Sequence, residues 1–503
     1  MVMTVREAAE KLEKLEQKLN AYNHAMGVMY YDSATAAPAG SAAGRGETLG
    51  VLSGTYYELF AAPDVGVLLE TILSNRDEID TLTAKKAEIM KRDYDETSKI
   101  PQEEYVAFTK LCSDAENVWH RAKKENDFAA FAPYIDQIVE TLIRFAGYYS
   151  QGQDPYDVWL SQNERGLTQK TLDAFFESLR GKIVPLLKRI QAEGIEIDDS
   201  FLHQEYPIEK QKAFSDYLMQ VMQIDRNYCA IGETEHPFTT NFNKYDVRIT
   251  THYYTDHPEF SMYSVIHEGG HALYELHTGD ELIGSCLATG TSMGVHESQS
   301  RLFENMVGRS EAFISYIFPK MQEIFWPQLQ NVTAHQMYLA LNKCEPSLIR
   351  TEADELTYAL HIMVRYEIEK KLFKGEAKAK DLPGLWAEMM RAYLGIEVPD
   401  DTSGVLQDSH WSNAQMGYFP SYAIGSAYAA QFVAHLKRDI DMEKAISSGN
   451  LKPVEDWLCE KIWRFGRGMD PEEILLNACG EPFNPTYYTD YLEEKFSAIY
   501  GLK

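Results

Sequence analysis

Tyr263-Ser264-Val265-Ile266-His267-Glu268-Gly269-Gly270-His271-Ala272-Leu273-Tyr274 decides how the rest of the chain is read. The residues flanking His267 to His271 are uncharged, free of proline and mostly apolar, the character of a buried helix. Two histidines four positions apart sit about 40° apart on a helix, so both imidazoles face one way. That arrangement can hold one zinc ion from a single helical turn. A glutamate directly after the first histidine can then take a proton from water beside the metal. The spacing therefore predicts a metallopeptidase centre, with Glu268 as general base. Gly269 and Gly270 each cost about 1 kcal/mol against alanine inside a helix. Such a pair predicts that another backbone or a ligand passes close.

Such a centre needs a third protein ligand. His277 lies six residues after His271, a spacing used when glycine stands at the position of Tyr274 and the chain turns back. With tyrosine there the helix is expected to continue, which carries His277 roughly 120° off the metal face. A glutamate from a later helix is the alternative. Ser292-Met293-Gly294-Val295-His296-Glu297-Ser298-Gln299-Ser300-Arg301-Leu302-Phe303-Glu304 reads as a helix that follows a Gly/Thr/Ser loop, with Glu297 and Glu304 on one face. Glu297, 26 residues after His271, is the favoured ligand, because an antiparallel return of two or three turns reaches back to the first helix.

Upstream, Thr240-Asn241-Phe242-Asn243-Lys244-Tyr245-Asp246-Val247-Arg248-Ile249-Thr250-Thr251 is rich in β-branched and aromatic residues around a turn-like Asn-Lys. It predicts a short hairpin or small sheet beside the metal helix, whose edge can pair with an extended peptide. The rest reads as helical. Helices are expected at Thr4 to Tyr31, Gly46 to Phe60, Thr81 to Thr97, Gln102 to Lys123, Ala132 to Ser150, Thr168 to Ala192 and Ile208 to Gln223. From Glu259 helices run to the end, with loops near Asp280 to Thr291, Val398 to Tyr418 and Gly480 to Tyr488. In the first helix Leu12, Leu15, Leu19 and Tyr22 share one stripe. The long loop from Val398 to Tyr418 carries Gln407, Asp408, His410 and Trp411, and long ordered loops are often functional.

With 503 residues the chain can bury a large core, and no stretch reads as a linker, a repeat or a low-complexity run. One large helical body with two lobes is the expectation. The net charge of -28 argues against nucleic acid and anionic membranes as partners. No run of apolar residues is long enough to span a membrane. The N-terminal stretch reads as an amphipathic helix rather than a signal peptide. Six dispersed cysteines read as buried free thiols, and the expected location is the cytoplasm.

His267 to His271 followed by His296-Glu297-Ser298-Gln299 resembles the carboxypeptidase Taq family of metallocarboxypeptidases. So do His236-Pro237-Phe238, Asp246-Val247-Arg248-Ile249-Thr250, Ile349-Arg350-Thr351-Glu352-Ala353-Asp354 and Gly404-Val405-Leu406-Gln407-Asp408-Ser409-His410-Trp411. Length and motif order agree over essentially the whole chain. The resemblance implies a mainly helical, saddle-shaped body with a deep groove, similar to the helical oligopeptidases and commonly a homodimer. It implies release of single C-terminal residues with broad specificity, one zinc ion per chain with cobalt or manganese as substitutes, and Glu297 as third ligand.

Peptide hydrolysis by this route also needs a donor for the oxyanion. Tyr418 and Tyr422, with His410 beside them, are the candidates, against the plainer reading of core or rim tyrosines. A carboxypeptidase needs a cation for the terminal carboxylate, and a guanidinium fork suits that best. Arg350 is the first candidate and Arg248 the second. The plain alternative for each is a structural ion pair, such as Arg350 with Asp354 at helical spacing. His236, Gln407 and Asp408 are further candidates for binding substrate. An oligopeptidase or dipeptidyl carboxypeptidase would use the same chemistry with a displaced anchor. A helical scaffold with an inert His-Glu-x-x-His is the reading from another class, and it would bind no stoichiometric metal.

Overall fold

The computed structural model describes residues 3–502 and is mainly helical, with one three-stranded sheet. In chain order the first helices are α1 Val5–Thr35, α2 Ala42–Phe60, α3 Pro63–Leu73, α4 Thr81–Ser98 and α5 Gln102–Glu125. Then come α6 Phe128–Tyr149, α7 Pro155–Asn163, α8 Gln169–Glu193 and α9 Ile208–Val221. The strands β1 Cys229–Glu233, β2 Thr239–Asn243 and β3 Asp246–Thr251 precede α10 Pro258–Leu276 and α11 Met293–Arg301. The remainder holds α12 Glu311–Ile324, α13 Ala334–Leu341, α14 Tyr358–Phe373, α15 Leu382–Leu394 and α16 Phe419–Asp439. It closes with α17 Met442–Ser447, α18 Lys452–Lys461, α19 Pro471–Cys479 and α20 Thr486–Ile499.

Local chemistry explains most of the helix boundaries. Thr4 caps α1 and exchanges hydrogen bonds with Glu7, which satisfies two N–H groups at the helix start. Pro258 opens α10, where its missing N–H is not needed. Ser292 caps α11 by accepting from Val295 N.

The chain packs around two large apolar centres and a small third one formed by Ile89, Leu282 and Leu287. Ala8, Leu12, Leu19, Phe60, Val65, Leu68, Leu69, Ile72, Ala87 and Met90, from α1 to α4, form one. The second runs continuously from Ala115 to Tyr500 and includes the inner faces of α10, α11, α14 and α16. No helix among the described residues is long and apolar enough to cross a membrane.

Several expectations need correcting. The α3 and α7 helices add to the expected set: both are short and open on proline, and α7 carries little periodicity, whereas Val65, Leu68, Leu69 and Ile72 give α3 a clear buried face. The hairpin exists as β2 and β3, but β1 adds a parallel strand on the far side of β3, in the order β1-β3-β2. A parallel partner is distant in sequence and carries no turn signal. Below Glu259, further breaks separate α12 from α13 and α13 from α14, and the last loop is shorter because α20 starts at Thr486. Arg350 does not pair with Asp354. Arg350 to Glu352 form a 3-10 turn, and Asp354 instead accepts from the backbone N–H of Glu345, Leu356 and Thr357.

β2 is an edge strand. Beside it opens a cavity of about 1790 Å³, lined by α1, α2, α4 and α5 and by Thr240, Asn241 and Phe242 of β2. Aromatic side chains, among them Tyr30, Tyr56, Tyr57, Tyr105 and Tyr149, line much of its wall.

Candidate active site

Gly270 of α10 lets two helices meet at the histidines, whereas Gly269 faces side chains, those of Met222 and Ile224. A Cβ on Gly270 would lie 2.7 Å from the carbonyl oxygen of Gln299 and 2.8 Å from Cα of Ser300, both on α11. Only glycine permits that approach, as its placement beside His271 predicts. Gly425 does the same from α16: a Cβ there would stand 2.6 Å from Cγ of Glu297. Three helices thus converge on one point.

At that point His267, His271 and Glu297 each offer an atom, all within 4.8 Å of one another. Oε2 of Glu297 lies 3.6 Å from Nε2 of His267 and 3.4 Å from Nε2 of His271. Two imidazole nitrogens and one carboxylate oxygen are a donor set that suits a divalent transition metal with an open position. Glu297 is kept charged. Burial opposes its charge, but Arg301 and the two histidines more than offset this and hold its carboxyl well below the usual range. Arg301 donates to Oε1 at 2.7 Å, and Ser300 donates to Oε2 at 3.1 Å.

The histidines differ in their surroundings. His267 shows its Nδ1 to Oε2 of Glu304 at 2.8 Å. Burial works against its cation, yet Glu297 and Glu304 raise it above its ordinary value. Glu304 itself is pulled down to about 2 against its burial, by Arg301 and His267. It reaches His267 from a π-helical segment, Leu302–Gly308, that continues α11. His271 is pushed down to about 4 by burial, so its ring is readily neutral and able to ligate. His277 ends α10, where its Nδ1 faces Leu273 O at 2.8 Å and its ring packs on Trp463. It stands outside the cluster because the helix runs on past Tyr274.

Glu268 is buried beside this group and accepts from Oγ1 of Thr239 at 2.6 Å. Burial raises its pKa. Such a carboxyl can both take and return a proton near neutral pH. Thr239 begins β2, so the edge strand meets the acid–base carboxyl where the cavity begins, one residue before Thr240.

Tyr418 stands at the start of α16 and Tyr422 in its first turn, one turn before Gly425. Their rings lie 5.4 Å apart. Burial raises both phenols, so both remain protonated donors. His410 approaches the hydroxyl of Tyr422 at 3.5 Å and packs on Phe419, and burial depresses it to about 4.

Behind the tyrosines lies a charge cluster. Asp408 Oδ1 accepts from Nε and Nη2 of Arg350 at 3.2 and 2.9 Å. Asp408 Oδ2 accepts from Nε and Nη2 of Arg365 at 2.8 and 2.5 Å. Burial opposes the charge on Asp408, but the two guanidiniums hold it well below the usual range. His361, pushed down to about 3 by burial, and His410 add no charge. Two cations therefore share one anion, and a net positive charge is left over. Arg350 also donates from Nη1 to Tyr358 and sits 5.2 Å from the Tyr422 ring. Three of the five guanidinium N–H groups are thus used among the described residues. Gln407 is saturated: it accepts from Arg350 N and Arg365 Nη2 and donates to Leu348 O and Ser403 O.

Two predicted residues stand apart from this group. Arg248 forms a fork with Asp246, at 2.9 Å for both bonds, and lies over Tyr31 and Phe242 beside the cavity. His236 is exposed between β1 and β2, and its ring has no hydrogen bond, ion pair or ring contact with the cluster among the described residues. Conversely, the structure adds Thr239, Arg301 and Arg365 to the site. Arg301 lies four residues after Glu297, a helical ion-pair spacing that could have revealed it. Thr239 and Arg365 come from distant elements and carry no local signal.

The family model described as carboxypeptidase Taq (M32) metallopeptidase matches residues 11–496. Carboxypeptidase 1 of Bacillus subtilis is 39% identical, covering 97% of this chain and 98% of that protein. Thermostable carboxypeptidase 1 of Pyrococcus furiosus is 35% identical, covering 95% of this chain and 96% of the other. The crystal structure of the M32 carboxypeptidase from Deinococcus radiodurans superposes with a TM-score of 0.95 at 32% identity, covering 98% of this chain and 100% of that one. A fold shared from end to end, and a family match spanning nearly every residue, leave one assignment: this chain belongs to the carboxypeptidase Taq (M32) family of metallopeptidases.

Proposed function

We propose that the protein is a metal-dependent carboxypeptidase that releases single residues from the C-termini of peptides, with broad specificity, using one zinc ion per chain. Cobalt or manganese are substitutes of the same charge. The observation that carries this reading is the convergence of His267, His271 and Glu297 beside the buried carboxyl of Glu268. A bound divalent cation supplies Lewis acidity to the attacking water and the scissile carbonyl.

The chain's own residues do the rest. Glu268 accepts the proton of the attacking water on its carboxylate and returns it to the leaving amine. Thr239 orients that carboxylate through its 2.6 Å bond. Tyr418 and Tyr422, with His410 alongside, supply O–H donors to the oxyanion. Arg350 takes the terminal carboxylate with its remaining N–H groups, and the uncompensated charge of the Arg350–Asp408–Arg365 cluster favours an anion there. Asp408 holds that guanidinium in place, and Gln407 fixes the Arg350 backbone by accepting from its N–H. Arg248, over Phe242 of the cavity wall, would meet the peptide upstream of the scissile bond, and exposed His236, between β1 and β2, would add a contact there. The large cavity along β2 receives that upstream part, and the two apolar bodies form lobes of one catalytic domain on either side.

A homodimer is inferred from the family resemblance, and a cytoplasmic location from six cysteines that are all free thiols. Product analysis on one short peptide tests the activity. Stepwise single amino acids, lost when metal is chelated, support the reading; internal fragments or dipeptides point to an oligopeptidase or dipeptidyl carboxypeptidase.

A further inference from the structure

His296 precedes the ligand Glu297, yet its ring points to a different partner. Its Nδ1 lies 2.6 Å from Nδ1 of His271, and its Nε2 lies 2.7 Å from Oε1 of Glu275. Two ring nitrogens this close must share one proton between them. The surroundings decide which ring carries it.

Glu275 is buried, and its Oε1 also accepts from the hydroxyl of Thr289 at 2.8 Å and the N–H of Gly290 at 3.1 Å. Its Oε2 accepts from Nδ2 of Asn241 at 2.5 Å. Glu275 is therefore an acceptor throughout, and Nε2 of His296 carries the hydrogen that faces it. A neutral imidazole has a single N–H, so Nδ1 of His296 is bare and accepts from Nδ1–H of His271. That leaves Nε2 of His271 bare, facing Oε2 of Glu297 at 3.4 Å. His267 reaches the same state by a shorter route, donating from Nδ1 to Glu304. The relay is locked sterically: a Cβ on Gly290 would fall 2.5 Å from Cδ2 of His296, and the Tyr274 ring packs 5.1 Å away. Its outer end, Asn241 and Thr289, lies on the wall of the large cavity.

We propose that His296 and Glu275 are positioning residues of the metal centre, forming a relay that selects Nε2 of His271 as the ligand atom and holds its ring in place. This rests on His267, His271 and Glu297 being the metal ligands. Groups that orient ligating histidines are worth about 10–100-fold in metal affinity.

The test titrates metal-stripped full-length protein with Zn²⁺ against a competing chelator. His296→Leu is expected to weaken Zn²⁺ binding by about 10–100-fold while the metal-free chain unfolds at the native denaturant midpoint. His296→Gln can accept from His271 and donate to Glu275, so it is expected to recover most of that loss. Native Zn²⁺ affinity in His296→Leu overturns the relay, and so does an equal loss in His296→Leu and His296→Gln, which marks packing alone. Should His296→Leu not fold, Glu275→Ala decides, because it removes the acceptor that fixes the His296 tautomer: weaker Zn²⁺ binding with a native denaturant midpoint supports the relay and unchanged binding overturns it. A native chain that takes up no Zn²⁺ overturns the ligand assignment itself, and the relay with it.

Discussion

Arg301 donates from Nε to Oε1 of Glu297 at 2.7 Å and thereby turns Oε2 toward the Nε2 atoms of both histidines of α10. The carboxylate is divided between a fixed cation and the open site. Arg301 also reaches Glu304, the partner of His267, at 3.2 Å. One guanidinium therefore orients two of the three ligands.

Arg301→Ala is expected to weaken metal binding by about 10–100-fold, because Glu297 loses its fixed orientation and Glu304 one of its cationic partners. Arg301→Lys should recover only part, since an ammonium cannot serve both carboxylates as a planar fork does. Glu297→Ala should empty the site, whereas His277→Ala should leave it full. Competitive chelation with metal analysis reads all four variants. A full site in Glu297→Ala and an empty one in His277→Ala would reverse the ligand assignment.

Glu268→Gln keeps the shape and the Thr239 contact but removes the base. Metal content should stay native while kcat falls by about 10²-fold or more, the usual worth of positioned acid–base catalysis. Near-native turnover at full metal occupancy would sink Glu268 as the base.

The Arg350 cluster makes a prediction about substrates. An amidated C-terminus offers no charge to the leftover cation, and losing such a buried pair costs about 2–5 kcal/mol. Amidated peptides should therefore be cleaved very slowly by the native enzyme. Arg350→Ala should lower kcat/KM on free peptides and narrow the gap between the two substrates. Arg350→Lys should restore little. If Arg350→Ala keeps the full preference for free C-termini, the anchor is another residue, and Arg248 is next to test with the same substrate pair.

The stability contributed by two buried carboxyls should fall as pH rises between 4.5 and 7, against the opposite slope from His271, His361 and His410, which burial holds neutral. Burial pushes both Glu164 and Glu369 from an ordinary value of 4.5 to about 7. Within that window the folded chain keeps protons that the unfolded chain has lost. The stabilisation is complete below 4.5 and gone above 7, at up to about 1.4 kcal/mol per pH unit for each group. Glu369 accepts from Trp411 Nε1, Gly417 N and Tyr156, and so pins the loop that ends at Tyr418. Glu369→Gln should remove about one proton's worth of that falling contribution from the slope. Denaturant midpoints of the metal-free protein at pH 5, 6 and 7 measure this; an unchanged slope would show that Glu369 ionises normally.

What the sequence determined by itself was whatever repeats at short range. The four-residue histidine spacing, Glu268 beside it and the helical stripe of α1 are local geometry, because helix periodicity alone sets which side chains share a face. Gly270 announced a close backbone, that of α11, whereas Gly269 meets the Met222 and Ile224 side chains instead. Glu297 could be reached because the return from α10 to α11 is short. The tertiary structure alone decided the rest. Parallel β1 pairs with β3 across a long connection. Asp408, not the nearby Asp354, takes Arg350, because the 350–352 turn is too short to carry helical spacing. Thr239 on Glu268, Arg365 behind Asp408 and Glu275 behind His296 come from elements far apart in the chain. Such contacts carry no period or spacing. They exist because burying an ionised or polar group requires a partner, and only the packed fold determines which partner is within reach.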